Sequence, residues 1–80
     1  MTSKPLAKIV KLFENARENV KKEDYGGAIA NLDKAIELDP KLALAYYKRG
    51  FAKYNSDDPN GAIADYDKAI ELDPKMANAQ

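Results

Sequence analysis

One fifteen-residue segment occurs twice in this chain of 80 residues, and the repeat constrains the fold more than any other feature of the sequence. The segment GAIANLDKAIELDPK at 27–41 returns 34 residues later as GAIADYDKAIELDPK at 61–75, with 13 of 15 positions identical. A repeated unit of this length cannot bury an apolar face alone, so its copies must stack on one another. The sequence therefore predicts two copies of one structural unit packed side by side.

The apolar residues of each copy recur at the spacing of an α-helix. Ala28, Leu32, Ala35 and Ile36 stand at positions i, i+4, i+7 and i+8, which share one helix face. Asp residues cap helix starts and Pro fits a first turn, and these signals divide the chain at 24, 39–40, 58–59 and 73–74. We predict helices at about 4–22, 25–38, 41–55 and 59–72, and a stub from 75 onward.

Short connections between these helices predict an all-α fold made of two helical hairpins in series, because short connections force neighbouring helices to run antiparallel. Small residues at equivalent positions would let the two helices of a hairpin approach closely. These are Ala16 and Gly50 in the first helices, and Ala28 and Ala62 in the second helices. Larger side chains fill the space around them, namely Leu12, Leu32, Tyr46 and Tyr66.

Composition argues against an enzyme and against a metal or cofactor site. The chain contains neither histidine nor cysteine. Histidine is the commonest acid-base group in catalysis, and the few hydroxyl side chains lie far from any evident base. Without cysteine there is no disulfide and no thiolate zinc site. We therefore expect a protein that is not an enzyme and that has no cofactor and no metal.

The overall charge favours neither nucleic acid nor a membrane surface as a partner, since 13 basic residues balance 13 acidic ones. Lysines interrupt the N-terminal segment MTSKPLAKIVKLF, so it does not resemble a signal peptide. A membrane-spanning helix would need about 20 consecutive apolar residues, which the sequence does not contain. We expect a soluble protein, and the absence of cysteine favours a cytoplasmic location.

The charges are unevenly distributed along the chain. Residues 1–22 hold six cations and two anions, whereas residues 55–73 hold one cation and six anions. Solvated helix faces account for such a distribution, because exposed charges contribute little individually. The alternative is that charges of opposite sign at the two ends steer head-to-tail association.

The chain resembles the tetratricopeptide repeat family, whose unit is a helix-turn-helix of about 34 residues. The second repeat carries the family's series of large, small, Ala, aromatic, Ala and Pro at Tyr46, Gly50, Ala62, Tyr66, Ala69 and Pro74, and the first repeat carries its equivalent at Leu12, Ala16, Ala28, Leu32, Ala35 and Pro40. The resemblance implies one domain, a short right-handed α-solenoid of two hairpins. The first repeat would span about 9–42 and the second about 43–76, with the truncated start of a further helix at 77–80.

Five positions depart from the family pattern. Asn15 and Arg49 stand where leucine is common, Asn19 and Lys53 where tyrosine is common, and Pro59 replaces the tyrosine seen at 25. We expect looser packing within each hairpin as a result.

In this family the first helices of successive repeats line a concave groove, so the resemblance implies a partner-binding surface on the first and third helices. Helical geometry agrees, because the adjacent Tyr46 and Tyr47 must point about 100° apart, and if one faces its own hairpin the other faces outside. Aromatic side chains offer a large contact area to an extended or helical peptide, and Arg17 and Lys48 favour an acidic one. The candidate groove residues are Val10, Phe13, Arg17, Val20, Leu44, Tyr47, Lys48, Phe51, Tyr54 and Asn55.

The sequence predicts a non-catalytic protein-interaction scaffold whose partner is a protein or peptide, bound through the groove and the exposed repeat end. Other interpretations stay open: the aromatic residues could complete packing between hairpins, and the chain could be an excised fragment of a longer array. Only six residues follow Pro74, too few for a stable covering helix. We therefore expect the isolated chain to associate with itself as a homo-oligomer or a helix-swapped dimer, unless another polypeptide completes it.

Overall fold

Four α-helices form most of the part of the chain that the structure describes. The computed structural model of the chain describes residues 5–78, with side chains as far as Met76. In chain order, α1 spans Leu6–Lys21, α2 Tyr25–Leu38, α3 Ala43–Asn55 and α4 Pro59–Leu72, and a 3-10 helix follows at Pro74–Asn78. No strand occurs within residues 5–78, so the prediction of an all-α fold is confirmed.

The helices pack as two hairpins placed side by side. Helix α1 packs on α2, α3 packs on α4, and α2 joins the two hairpins through its contact with α3. Because the connections are short, each helix runs antiparallel to the next. The predicted pair of serial helical hairpins is therefore confirmed.

The predicted boundaries agree with α2 and α4 and differ at the other elements. The first helix begins at Leu6, whereas the predicted start at position 4 lies outside the described residues. After α4, the predicted truncated start of a further helix takes the form of a five-residue 3-10 helix. Short segments favour this form, because its hydrogen bonds close over three residues instead of four. Of the predicted stub at 77–80, positions 79 and 80 lie outside the described residues.

Asp24 and Asp58 cap the second helix of each hairpin as predicted. The Oδ1 atom of each accepts a hydrogen bond from the backbone N–H three residues later, at Gly27 and Gly61, over 3.0 Å. These bonds satisfy amides that the first turn of a helix leaves unpaired. Pro59 occupies the first turn of α4, where a missing N–H carries no penalty.

The prediction that the Asp-Pro pair at 39–40 starts α3 is wrong. The residue before α3 is Leu42, which makes no side-chain cap. Oδ1 of Asp39 instead accepts from the N–H of Lys41, over 3.2 Å. This bond closes a turn at 39–41, and the helix begins only after this turn, at Ala43. The turn is fastened from α3, because the Tyr46 hydroxyl donates to the Pro40 carbonyl oxygen over 3.0 Å.

Both first helices end in the same left-handed turn. Glu23 and Asp57, which stand 34 residues apart, have φ values of 59° and 71°. In the first repeat the N–H of Asp24 donates to the Asn19 carbonyl oxygen, over 2.7 Å, and closes the end of α1. A non-glycine residue is uncommon in this conformation, so the identical geometry at the two sites reflects the repeated unit.

The core consists mostly of alanine, which keeps neighbouring helices close. Ala52 of α3 belongs to the same buried cluster as Ala16, Ala28 and Leu32 of the first hairpin. The first helix of the second repeat therefore completes the core of the first repeat. The fully buried apolar residues are Ile9, Ala16, Ala28, Leu32, Ala35, Ala45, Ala52, Ala62 and Ala69.

The two hairpins reach similar packing through an exchange of side-chain sizes. Where the first repeat has Ala16 and Leu32 in contact within one cluster, the second has Gly50 and Tyr66. A Cβ atom placed on Gly50 would lie 3.1 Å from the Tyr66 ring and 3.2 Å from the Ala62 carbonyl oxygen. The predicted role of the small residue is confirmed here, since glycine leaves the room that a tyrosine needs.

Within residues 5–78, none of the helices combines the length and the apolar character that crossing a membrane requires.

Candidate partner-binding groove

A groove runs between α1 and α3, with Leu32 of α2 at its floor, and two adjoining cavities form it. One cavity of about 250 Å³ is lined by Val10, Phe13, Glu14, Arg17 and Lys48. The other, of about 160 Å³, is lined by Ala16, Arg17, Val20, Leu32, Tyr47, Lys48 and Phe51. Arg17 and Lys48 border both cavities and therefore mark their junction.

The repeat explains why these two helices line the groove together. On α1 the groove side chains stand at positions i, i+3, i+7 and i+10, a spacing that keeps them on one face. The same positions recur 34 residues later on α3, so each helix presents one strip: Val10, Phe13, Arg17 and Val20 on α1, and Leu44, Tyr47, Phe51 and Tyr54 on α3. Much of this surface is open, since Val10 is 47% exposed and both Tyr47 and Phe51 are 44% exposed.

Most of the candidate residues from the sequence come together around the two cavities. Those that line a cavity are Val10, Phe13, Arg17, Val20, Tyr47, Lys48 and Phe51. Leu44, Tyr54 and Asn55 line neither cavity. Leu44 lies in the first turn of α3 and Tyr54 in its last turn. The Asn55 amide donates to the Phe51 carbonyl oxygen over 2.8 Å, so it is engaged by its own helix.

The sequence analysis missed three residues of the groove. Ala16 and Leu32 were assigned to the hairpin core, which they also form. Glu14 was not considered, although it follows Val10 by four positions and precedes Arg17 by three, a spacing that shares one helix face. This helical spacing is the sequence signal from which Glu14 could have been predicted.

The charged side chains of the groove have no partner among the described residues. Within residues 5–78, neither Arg17 nor Lys48 makes a hydrogen bond or an ion pair, and the same holds for Glu14. A guanidinium and an ammonium group are therefore available at the junction of the two cavities. Such groups form their strongest hydrogen bonds with carboxylates.

Tyr47 serves the hairpin as well as the groove. Its ring centroid lies 5.4 Å from that of Tyr66 on α4, with the rings tilted by 51°. Such a tilted pair adds about 0.5 to 1.5 kcal/mol beyond buried area. Burial raises the pKa of Tyr66, because a phenolate there would be poorly solvated, and the nearby Tyr47 and Tyr54 phenols add to the effect. Because α3 and α4 form one hairpin, this contact lies within the second hairpin and does not test the alternative of packing between hairpins.

Behind the groove, the departures from the family pattern on α3 form an ion-pair network with α4. Asp65 is only 4% exposed, and Arg49 binds both its carboxylate oxygens, over 2.8 and 2.7 Å. Lys53 adds a third contact to Asp65 over 3.1 Å. The remaining guanidinium nitrogen of Arg49 donates to Asp33 of α2 over 2.8 Å, so one arginine connects three helices. Paired charges thus occupy the departing positions on α3, and the looser packing expected within each hairpin stays a prediction.

The network keeps Asp65 ionised although it is buried. Burial alone would raise its pKa, but the hydrogen bonds from Arg49 and Lys53 outweigh this effect and hold the pKa below its usual value. The hydrogen bond to Asp65 raises the pKa of Arg49 in turn.

The first hairpin solves the same packing problem without charge. Asn19 and Asn31 occupy the positions equivalent to Lys53 and Asp65, and the Asn31 amide donates to the Asn19 side-chain oxygen over 2.8 Å. Asp65 and Tyr66 are the two positions at which the second copy of the repeated segment departs from the first. Both differences are matched by changes on α3, since Arg49 and Lys53 pair with Asp65 and Gly50 leaves room for Tyr66.

Comparisons with known proteins agree with this architecture. A family model described as TPR repeat matches residues 16–57, just over half of the chain, and a second described as Tetratricopeptide repeat matches residues 43–76. The DnaJ protein P58IPK homolog of Arabidopsis thaliana is 47% identical over 38 residues, which cover 48% of this chain and 8% of that protein. By these matches, together with its two helical hairpins, the chain belongs to the tetratricopeptide repeat family.

Proposed function

We propose that this chain is a non-catalytic scaffold that binds a peptide or partner helix through the groove between α1 and α3 and through the exposed end of the second repeat. Tetratricopeptide repeats mediate protein–protein interaction in general. The observation that supports this site is the pair of adjoining cavities, in which half-exposed aromatic side chains flank two cations that have no partner within residues 5–78.

The order of side chains along the groove favours a particular ligand pattern. One cavity offers the apolar side chains of Val10 and Phe13, and the other those of Val20 and Phe51. Arg17 and Lys48 lie between them. A peptide with an acidic residue between two apolar residues would place each side chain against its complement, because apolar groups gain by burial and the carboxylate gains charged hydrogen bonds.

The proposal is tested by selecting peptides from a displayed library on the wild-type protein and measuring their affinities for variants. Phe51→Ala combined with Arg17→Ala removes one aromatic surface and one free cation from the groove. Tyr47 is a poorer choice, because its ring also packs on Tyr66. A matched control is Leu6→Ala with Lys34→Ala, which removes an exposed apolar residue and a cation away from both groove cavities.

We expect the groove variant to weaken binding of the selected peptides by at least about tenfold, equivalent to about 1.4 kcal/mol, and the control variant to change it by less than about twofold. Binding should also weaken as salt is raised, because the free cations are solvent-accessible. Peptides that bind the groove variant as well as they bind the wild type would contradict the proposal.

Self-association is the alternative function, and one observation favours it. Ile63 and Ile70 of α4 are 57% and 39% exposed, a surface that a second molecule could cover. Sedimentation velocity over a hundredfold range of concentration, applied to the groove variant and to Ile63→Lys, separates the two functions. A self-assembly built on this face of α4 dissociates in Ile63→Lys, and one built on the groove dissociates or unfolds in the groove variant, whereas a peptide-binding monomer keeps its mass in both. A folded wild-type monomer at every concentration removes the alternative.

A further inference from the structure

The exposed face of α4 repeats the face of α2 that packs on α3. Its residues Ile63, Asp67 and Ile70 follow their counterparts Ile29, Asp33 and Ile36 by 34 positions, with identical residue types. Because α2 has a helix packed on this face, the α2–α3 contact shows which chemistry the face accepts.

Helix α3 offers α2 an arginine between two small residues. Ala45 and Ala52 are fully buried, and Ala52 lies in one cluster with side chains of the first hairpin. Arg49 stands four positions after Ala45 and three before Ala52, on the same helix face. Its Nη1 atom donates to Oδ1 of Asp33 over 2.8 Å. The small residues allow close approach to α2, and the arginine pairs with the carboxylate there.

On α4 the corresponding groups are left without a partner. Ile29 and Ile36 are half-buried on α2, whereas Ile63 is 57% and Ile70 39% exposed on α4. Asp67 is exposed, and within residues 5–78 it makes no hydrogen bond or ion pair. The second copy of this face therefore presents an apolar strip with a free carboxylate at its centre.

We propose that this face of α4 binds an α-helix of a partner that carries a small residue, an arginine four positions later and a second small residue three positions after the arginine. The arginine pairs with Asp67, and the small residues pack beside Ile63 and Ile70. This inference rests on the proposed function, because it specifies the partner of the exposed repeat end.

A second copy of the chain does not supply this helix through α1. Lys11, Asn15 and Glu18 stand on α1 where α3 has Ala45, Arg49 and Ala52, and all three are exposed. Docking α1 on α4 would press long charged side chains against Ile63 and Ile70, which is unfavourable because those charges would lose water without gaining partners. Stacking of α1 of a second copy on this face of α4 is therefore unfavourable.

The test uses two synthetic peptides and fluorescence anisotropy. The first has the sequence of residues 41–57, which contains the small-Arg-small pattern of α3, and the second has the sequence of residues 7–23, which carries the charged face of α1. We expect the α3 peptide to bind the wild-type protein and the α1 peptide to bind at least about tenfold more weakly.

Reversing the charges of Asp67 and of the peptide arginine tests whether the peptide binds at α4. Asp67→Lys should lower the affinity for the α3 peptide at least about tenfold, and a peptide with Arg49→Asp should bind this variant within about threefold of the original pair. Because Asp67 is exposed and unpaired, the variant should fold normally, which circular dichroism checks. The groove variant, Phe51→Ala with Arg17→Ala, should bind the α3 peptide as the wild type does.

Three results would overturn the inference. One is no binding of the α3 peptide at concentrations up to about 1 mM. Another is binding that ignores Asp67→Lys but is lost with Asp33→Lys, which would mean that the peptide exchanges with the protein's own α3. The last is loss of binding in the groove variant alone, which would place the peptide in the groove and leave the proposed function intact.

Discussion

Single residues set how closely the helices of each hairpin approach. The pair Ala16 and Leu32 in the first repeat and the pair Gly50 and Tyr66 in the second solve the same packing problem with different sizes. In the first repeat alanine is paired with leucine. In the second repeat glycine, which has no side chain, is paired with the larger tyrosine. The effect of changing one member should therefore depend on the other.

We predict that Gly50→Ala destabilises the wild type by about 1 kcal/mol, because overpacking by about 1 to 3 kcal/mol exceeds the gain of about 1 kcal/mol in helix propensity. In a Tyr66→Leu background, which reproduces the first repeat, the same change should become stabilising. Urea unfolding of the wild type, Gly50→Ala, Tyr66→Leu and the double variant measures both effects. If Gly50→Ala changes the free energy of unfolding equally in the two backgrounds, the side-chain sizes at positions 50 and 66 are not coupled.

At the residue scale, the sequence predicts which positions hold small or capping residues better than it predicts the contacts that each residue makes. Repetition at a fixed period predicted the small residues and the capping role of Asp24 and Asp58, because these depend on local spacing. The same local signal failed at Asp39, which closes a turn. It also gave no sign of the left-handed Glu23 and Asp57, because neither position holds glycine, the residue that most often marks this conformation.

At the scale of the helices, the network around Asp65 connects α3 to both of its neighbours. Arg49 bridges Asp65 of α4 and Asp33 of α2, so it stabilises one hairpin and the junction between the two. From sequence alone Arg49 and Lys53 were departures from a pattern. Their role could not be predicted, because it depends on three helices meeting around one buried carboxylate.

We predict that Asp65→Asn lowers the free energy of unfolding at pH 7 by about 2 to 3 kcal/mol, since it removes charged hydrogen bonds to Arg49 and Lys53. The folded protein holds the pKa of Asp65 below its unfolded value of about 3.9. The carboxylate therefore stabilises the fold above that pH, and the contribution is lost as the pH falls through the lower, folded pKa. The difference between variant and wild type should shrink as the solution is acidified below about pH 4.

Denaturant unfolding at a series of pH values measures this difference, and Asp67→Asn is the matched control because Asp67 lies exposed on the same helix. The control should change stability by less than about 0.5 kcal/mol. Lys53→Asn added to Asp65→Asn reproduces the Asn19 and Asn31 pair and should recover part of the loss. A wild type and an Asp65→Asn variant with the same pH profile would mean that the network contributes no net stability.

At the scale of the whole molecule, two stacked hairpins leave two kinds of surface open. The groove joins α1 and α3 and offers aromatic side chains with free cations, whereas the end of the second repeat offers isoleucines with a free carboxylate. Opposite charges at the two surfaces would direct different partners to each. One chain could then hold two partners side by side.

The fold could be predicted almost completely from the sequence, and the groove could be predicted in outline. The family resemblance assigned the strip of each helix and helix periodicity agreed with it, but neither could say where along the strips a cavity would form. That depends on Ala16 and Leu32, which set the depth between the helices. For this reason Leu44 and Tyr54, which share the period, lie outside the cavities that Phe13 and Phe51 line.

Nuclear magnetic resonance can locate a bound partner residue by residue. A peptide selected on the wild-type protein should be titrated into isotopically labelled protein while backbone amide shifts are recorded. If the groove is the binding surface, the largest changes fall at Phe13, Arg17, Tyr47, Lys48 and Phe51. Changes that instead centre on the outer face of α1, at Lys11, Asn15 and Glu18, would contradict binding through the groove.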